Sequence, residues 1–243
     1  MSTHSTPATG CQWYATQMGW GTLLRGNVMC EGNLDVHYFA LAAHLYLAER
    51  GLHLIGKDLS VFAAGSGEAG GTYGISEKFP VLHALSKLDI DVNGKIKYRT
   101  IALMDNDHAG KSAVLGMTKA NRTIRENEHL FLLRREMPRR SRDRQPLTKH
   151  LDEANRQYGT LQCVIEDQLD MSLCDLYAEQ FPHYVRGSKH VIADGHHIDW
   201  SQDGKFGLSR FVKENAGLDE VALLVQTLKS LRFYLGLPED GIA

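Results

Sequence analysis

The sequence predicts an α/β protein with a doubly wound, mostly parallel β-sheet flanked by helices. Three observations support this fold class. Short apolar runs alternate with helix-forming segments from residue 23 to residue 133. Turn-forming glycine clusters separate several of these segments. The composition, with 43% hydrophobic and 23% charged residues, is that of an ordinary globular protein.

The elements of this core follow one another in a regular order. The first strand is predicted at residues 28–30, and the next helix begins near Asp35, with Gly51 as its stop signal. The later elements are predicted as strand 59–64, helix 79–88, strand 98–104, helix 109–121 and strand 130–133. Pro80 is expected in the first turn of its helix, where a missing N–H is tolerated.

Beyond the core the pattern is less regular. We expect a strand at 161–165, a helix at 172–181, a hairpin that turns at Asp194-Gly195, and a terminal helix at 218–235. The predicted domain organisation is an N-terminal extension (1–22), with a loose terminus at 1–10, the core (23–133), an Arg-rich loop (134–147) and a C-terminal α/β elaboration (148–243).

Charge and cysteine content limit the classes of function. The formal net charge is −2, so any nucleic-acid binding must come from a local basic patch. The four cysteines form no CxxC pair, which favours reduced, partly buried thiols in a cytoplasmic protein. No signal peptide is visible, and no apolar run approaches the roughly 20 residues that span a membrane, so no membrane partner is expected.

Acidic side chains follow two of the predicted strands. Asp105 and Asp107 come directly after strand 98–104, and Glu31 follows the first strand, with Asp35 four residues later. Ligands bind at the carboxyl ends of strands in open α/β sheets. If the first and third strands are neighbours, these four carboxylates converge. Clustered carboxylates repel one another, and their hard oxygen ligands favour Mg²⁺ or Mn²⁺.

The same segments resemble the TOPRIM domain family. Residues 28–35, VMCEGNLD, are similar to its glutamate motif, and residues 101–111, IALMDNDHAGK, are similar to its Asp-x-Asp motif. Residues 62–67, FAAGSG, fit the small-residue turn after the second strand, so the resemblance covers about 27–133. It implies a TOPRIM-like fold and phosphodiester chemistry on nucleic acid, DNA more than RNA.

Among TOPRIM proteins, the OLD-type (overcoming lysogenisation defect) nucleases share the Glu-x-x-x-Asp spacing of Glu31 and Asp35. The resemblance implies two-metal hydrolysis, with metals about 4 Å apart. Glu31 and Asp105 would be the principal ligands, and Asp35 and Asp107 would complete a second site.

OLD-type nucleases also use a later glutamate and a late lysine. Glu166 matches the glutamate, as a further metal ligand, with Asp167 and Asp170 as rivals. Lys205, just ahead of a predicted helix, matches the lysine, with Lys213 as its rival. The implied catalytic residues are therefore Glu31, Asp105, Asp107 and Lys205, where the lysine neutralises charge on the phosphate.

The strongest basic cluster lies in the Arg-rich loop. A solvated loop and a phosphate-binding arm beside the metal site are both open interpretations. The arm would use Arg134, Arg135, Arg139 and Arg140.

Three other patterns are weaker. Residues 65–70 spell the dinucleotide-binding pattern GxGxxG, but after the second strand, which favours a tight turn. Gly110-Lys111-Ser112 resembles the end of a P-loop, but Asp105 occupies the position of the required earlier glycine. His190, His196 and His197 lack the spacing of a zinc site.

The leading hypothesis is a Mg²⁺- or Mn²⁺-dependent nuclease, an effector in defence against foreign DNA that works with a separate ATPase subunit. The alternatives are a non-catalytic TOPRIM module that mediates nucleic-acid or protein assembly, and a primase-like nucleotidyl-transfer domain. Homo-oligomerisation stays open. A topoisomerase would need a catalytic tyrosine in a separate large domain, for which 243 residues leave no room.

Overall fold

The computed structural model describes residues 9–243 and contains a four-stranded sheet. The strands are β1 (Gly26–Cys30), β2 (Leu59–Ala63), β3 (Arg99–Met104) and β4 (Leu130–Leu132). Their order is β2-β1-β3-β4, and every neighbouring pair is parallel. Each of the four predicted core strands is confirmed, as is the parallel sheet. The predicted loose terminus, residues 1–10, lies almost entirely outside the described residues.

Within residues 9–243, eight α-helices pack around this sheet, and three of them connect its consecutive strands. Four belong to the first half of the chain: α1 (Gly10–Gln17), α2 (Asn33–Arg50), α3 (Gly71–Ser86) and α4 (His108–Ala120). Four belong to the second half: α5 (Arg144–Ala154), α6 (Met171–Gln180), α7 (Gln202–Asn215) and α8 (Ala222–Leu235). None of the helices within residues 9–243 combines the length and the apolarity that crossing a membrane requires.

The sheet is buried on both faces because its side chains alternate between two cores. Val28 and Cys30 of β1 face a core shared with α2 and with α5 to α8. Met29 faces the opposite core, which is shared with α1, α3 and α4. This burial explains why β1 is apolar without an alternating pattern. It also confirms the prediction of helices on both sides of the sheet.

Several predicted boundaries were wrong. Helix α3 begins at Gly71, so Pro80 lies in the middle of the helix instead of its first turn. Residues 161–165 form no strand; only Cys163 bridges to Asn106, and a 3₁₀ turn follows at Ile165–Gln168. Helix α5 begins inside the segment that was predicted as the Arg-rich loop.

The predicted hairpin is present as β5 (His190–Ile192) and β6 (Gly195–His197), which pair in antiparallel fashion. Its turn lies one residue earlier than expected. Ile192 pairs with Gly195, and Ala193 adopts a positive φ of 54°. The two turn residues are therefore Ala193 and Asp194.

Candidate functional site

The strand order brings the first two acidic segments together. Strands β1 and β3 are direct neighbours, with Met29 opposite Ala102, so both strands end at the same edge of the sheet. Glu31 follows β1 and Asp105 follows β3. The backbone N–H of Asp105 donates a hydrogen bond of 3.0 Å to Oε1 of Glu31. The expected convergence of these two residues is confirmed.

Asp35 lies in the first turn of α2, beside the same edge. Its Oδ2 accepts a hydrogen bond of 2.9 Å from the backbone N–H of Gly32, the residue that caps the helix. A carboxylate at this position also interacts favourably with the helix dipole. The helix thus fixes the Asp35 side chain close enough to raise the pKa of Asp105.

Burial and mutual repulsion disturb all three carboxyl groups. Burial, together with the charges of Asp35 and Asp107, raises the pKa of Glu31 from 4.5 to about 7. Burial also raises the pKa of Asp35 from 3.8 to about 6, with a contribution from Glu166. The pKa of Asp105 lies well above its usual value because of burial and the neighbouring carboxylates. Such increases in pKa arise where buried negative charges are not balanced by solvent or by nearby positive charges.

Glu166 and Lys205 join this cluster from the second half of the chain. The 3₁₀ turn Ile165–Gln168 carries Glu166, whose side chain is 1% exposed. Lys205 lies within the first turn of α7, not ahead of it, and its Nζ is 3.1 Å from Oε2 of Glu166. Burial lowers the pKa of Lys205, but Glu166 and Asp105 outweigh this effect, so its pKa is raised overall.

Asp107 caps the helix that follows β3. Its Oδ1 accepts a hydrogen bond of 2.7 Å from the N–H of Gly110 and so caps α4. A Cβ on Gly110 would lie 2.0 Å from the carbonyl oxygen of Asp105. The glycine that follows the Asp-x-Asp motif therefore allows α4 to begin against the end of β3.

A large cavity opens beside this cluster. It has a volume of about 850 Å³, and Asp107, Lys205 and residues of the β5-β6 hairpin line it. His197 also lines it, and its Nδ1 lies 2.8 Å from Oδ2 of Asp167, which is 2% exposed. The Asp167 carboxylate accepts from this ring nitrogen, which leaves Nε2 of His197 without a hydrogen-bond partner among residues 9–243.

Sequence reasoning missed the His197–Asp167 pair. From the sequence, Asp167 is only a rival to Glu166, and His197 is expected as a strand-exposed histidine more than as a zinc ligand. Thirty residues separate the two in sequence, and only the hairpin brings them together. The sequence signal for this pair is weak: His197 lies in a predicted hairpin, next to a turn that contains Asp194.

The rivals to Glu166 and Lys205 are used elsewhere. Asp170 caps α6 by accepting a hydrogen bond of 2.8 Å from the N–H of Ser172. Lys213 lines a different cavity, between α2 and α7. Neither is among the largest causes of the raised pKa values of Glu31, Asp35 and Asp105.

The four arginines predicted to bind nucleic acid do not form one surface. Arg135 donates to the carbonyl oxygens of Asp167 and Asp194, at 3.0 and 2.8 Å. Arg139 donates to Oε1 of Gln226 at 2.8 Å and forms an ion pair with Glu239. Within residues 9–243, the side chains of Arg134 and Arg140 form neither hydrogen bonds nor ion pairs, and Arg140 is exposed. Only these two are free to contact phosphate.

The glycine-rich segment 65–70 forms the turn between β2 and α3. Gly67 has a φ of 55°, and Lys78 Nζ holds the turn through the carbonyl oxygens of Ala64 and Ala69, at 2.6 and 2.7 Å. The turn joins the acidic edge, since the N–H of Gly71 donates to the carbonyl of Glu31 at 2.9 Å. The cysteines at positions 11, 30, 163 and 174 are free and buried, as expected.

The carboxylate oxygens of this cluster are of the type that a hard cation prefers, but they are not arranged as a metal site. Within residues 9–243, no group of three or more His, Cys, Asp or Glu side chains has an arrangement that could hold a metal ion. Glu31 and Asp35 instead accept backbone hydrogen bonds. The carboxylates of this cluster nevertheless outnumber the positive charge that Lys205 supplies, and Mg²⁺ or Mn²⁺ would balance the remaining negative charge.

The fold and site define a class: an α/β protein with a parallel sheet and clustered carboxylates at its strand ends. No family model, curated protein or solved structure matches the chain.

Proposed function

We propose that the protein is a divalent-metal-dependent nuclease that hydrolyses nucleic-acid phosphodiesters. One observation carries this proposal. Four carboxylates, of Glu31, Asp35, Asp105 and Glu166, lie close enough to perturb one another, and the positive charge of Lys205 opposes them. Perturbed carboxylates in a cleft are typical of sites that bind metal or catalyse reactions.

Each residue has a chemical role in this proposal. Glu31 and Asp105 would hold Mg²⁺ or Mn²⁺ as principal ligands, with Asp35, Asp107 and Glu166 completing the coordination. The metal would supply an activated water and a counter-charge for the leaving oxygen. Lys205 directs its Nζ towards the same carboxylates, where it can neutralise an incoming phosphate oxygen.

His197 adds a group that can move a proton. Its Nδ1 is bound to Asp167, and the residue lines the cavity, so Nε2 is the ring nitrogen that remains for proton transfer. A carboxylate that holds one ring nitrogen orients the imidazole and favours its charged form. Accordingly, the hydrogen bond to Asp167 raises the pKa of His197. We propose that Nε2 donates a proton to the leaving oxygen.

A cleavage assay with full-length protein tests the proposal. Supercoiled DNA, linear DNA and RNA are each incubated with Mg²⁺, Mn²⁺ or EDTA. The protein is compared with the variant Asp105→Asn/Asp107→Asn and with a control, Asp152→Asn/Asp219→Asn, that removes the same charge from exposed positions. We expect metal-dependent cleavage, DNA more than RNA, that only the first variant loses. Equal cleavage by all three proteins would refute the assignment.

A second function is favoured by one observation, the direct pair between Lys205 and the buried Glu166. If Lys205 is the permanent counter-ion of the cluster, the domain is a non-catalytic module that assembles nucleic acid or protein. Binding of DNA without cleavage under every metal condition supports this alternative.

The resemblance to OLD-type nucleases also motivates a proposed partner, a separate ATPase that triggers cleavage in defence against foreign DNA. Cleavage that requires added ATPase and ATP would support it. Full activity of the isolated chain would contradict this dependence while leaving the nuclease proposal intact.

A further inference from the structure

We propose that the protein has a second binding site, for a mononucleotide, at the opposite end of the sheet from the acidic cluster. A cavity of about 320 Å³ lies there, where β3 and β4 begin and where α3 and α8 end. The six residues of β3 separate the two sites by about 20 Å at roughly 3.3 Å per residue. This site does not depend on the proposed nuclease activity.

Two arginines meet at the mouth of this cavity. Arg99 Nη1 and Arg142 Nη1 lie 3.0 and 3.3 Å from the point that a Cβ on Gly236 would occupy, so both guanidinium groups approach the same point. Within residues 9–243, neither pairs with a carboxylate. Arg99 donates a long hydrogen bond of 3.4 Å to Leu235, and Arg142 lies over the ring of Phe233.

The end of α8 explains part of this arrangement, since its last carbonyls attract a cation. One arginine would be enough for that. Two unpaired guanidinium groups repel each other, and a phosphate group removes the repulsion while accepting hydrogen bonds from both. Lys87 adds a third positive charge to the lining. Glu128, which also lines the cavity, is engaged with Arg125 at 3.4 Å.

The floor of the cavity supplies an independent observation. Thr100 and His83 line it and are 8% and 5% exposed. Oγ1 of Thr100 and Nε2 of His83 are buried and have no hydrogen-bond partner within residues 9–243. Buried polar atoms are nearly always paired, so two such atoms beside one cavity indicate a ligand with polar groups of its own. Burial lowers the pKa of His83 to about 4, which keeps its ring neutral.

Aromatic rings provide surfaces for a planar base. Tyr98, His129 and Tyr234 line the cavity, and Tyr234 is held flat against Phe131 with ring centroids 4.9 Å apart. Nucleobases stack on such rings without regard to sequence. The volume lies at the lower end of the ~300–1,000 Å³ range of ligand pockets, which fits a mononucleotide and excludes a nucleic-acid strand.

Calorimetric titration of the full chain in EDTA tests this site. The probes are AMP, adenosine and inorganic phosphate. The wild type is compared with Arg99→Ala/Arg142→Ala and with a control of equal charge, Arg122→Ala/Arg156→Ala, whose arginines are exposed and outside the cavity. We expect AMP to bind at least tenfold more tightly than either fragment. The first variant should lose at least tenfold in affinity, and the control less than twofold.

A third variant, Thr100→Val, replaces the unpaired hydroxyl with a methyl group of the same shape. It should keep the melting temperature and weaken AMP binding. Three results would overturn the proposal: no binding of AMP at millimolar concentration, phosphate binding as tight as that of AMP, or equal losses in both arginine variants. Loss of AMP binding in Asp105→Asn would place the nucleotide at the acidic cluster and would also overturn it.

Discussion

Replacing Glu31 with glutamine removes one charge from the acidic cluster while preserving the shape of the side chain. The Oε1 of glutamine can still accept the hydrogen bond that Asp105 N–H donates to Glu31. What changes is the electrostatic free energy. Burial and neighbouring carboxylates raise the pKa of Glu31 from 4.5 to about 7, so the ionised side chain destabilises the metal-free protein.

The size of this effect follows from the pKa shift. One pKa unit corresponds to about 1.36 kcal/mol, so the ionised Glu31 costs up to about 3 kcal/mol of unfolding free energy. Between pH 4.5 and pH 7 the folded state binds more protons than the unfolded state, so its stability falls as pH rises. Glu31→Gln should therefore match the wild type below pH 4.5 and exceed it by about 2–3 kcal/mol at pH 8.

Thermal unfolding in EDTA across this pH range measures the effect. For a chain of this size, 1 kcal/mol corresponds to roughly 2–4 °C, so we expect a gain of about 4–12 °C at pH 8. Added Mn²⁺ at a hundredfold excess over Kd should stabilise the wild type by about 2.7 kcal/mol and so raise its melting temperature, but should not stabilise the variant. A loss of stability in EDTA at pH 8 would show that Glu31 is a structural ion-pair partner and would refute the reasoning.

Three further outcomes follow from the site. Lys205→Met should abolish cleavage. It should also lower the unfolding free energy in urea by about 3 kcal/mol, because Glu166 stays buried without a partner. The double variant Lys205→Met/Glu166→Gln should recover most of this stability but no cleavage. His197→Gln should keep the wild-type melting temperature but slow cleavage most at lower pH, where the wild-type imidazole is protonated and can donate, and an unchanged pH–rate profile would exclude a proton-transfer role. Gly110→Ala should destabilise by several kcal/mol because of its backbone clash, whereas Gly116→Ala on the same helix, with open space around it, should stabilise by up to about 1 kcal/mol.

The chemistry at the strand ends could be predicted from local sequence. An apolar run that ends in an acidic residue is visible at Cys30-Glu31 and at Met104-Asp105. What local sequence does not contain is the order of the strands. The convergence of Glu31 and Asp105 required β1 and β3 to be neighbours, and hydrophobic periodicity does not specify which parallel strands pair.

The second half of the chain was harder to predict because its elements are short and depend on tertiary contacts. Residues 161–165 have the composition of a strand, but only Cys163 pairs, and the chain then turns to bury Glu166. The Arg-rich segment illustrates a different difficulty. Composition shows that arginines are present, but not that Arg135 and Arg139 are committed to internal acceptors.

The energetics of the acidic cluster favour a functional origin over a structural one. The unfolding free energy of a domain of this size is only about 5–15 kcal/mol, and ionised Glu31 alone lowers it by up to about 3 kcal/mol. Lys205 offsets part of this cost but does not restore ordinary pKa values to Glu31 and Asp35. A structural cluster would be more stable with neutral side chains of the same shape, as the Glu31→Gln variant should demonstrate. Retaining destabilising carboxylates at the ends of two neighbouring strands is what a site that binds a cation requires.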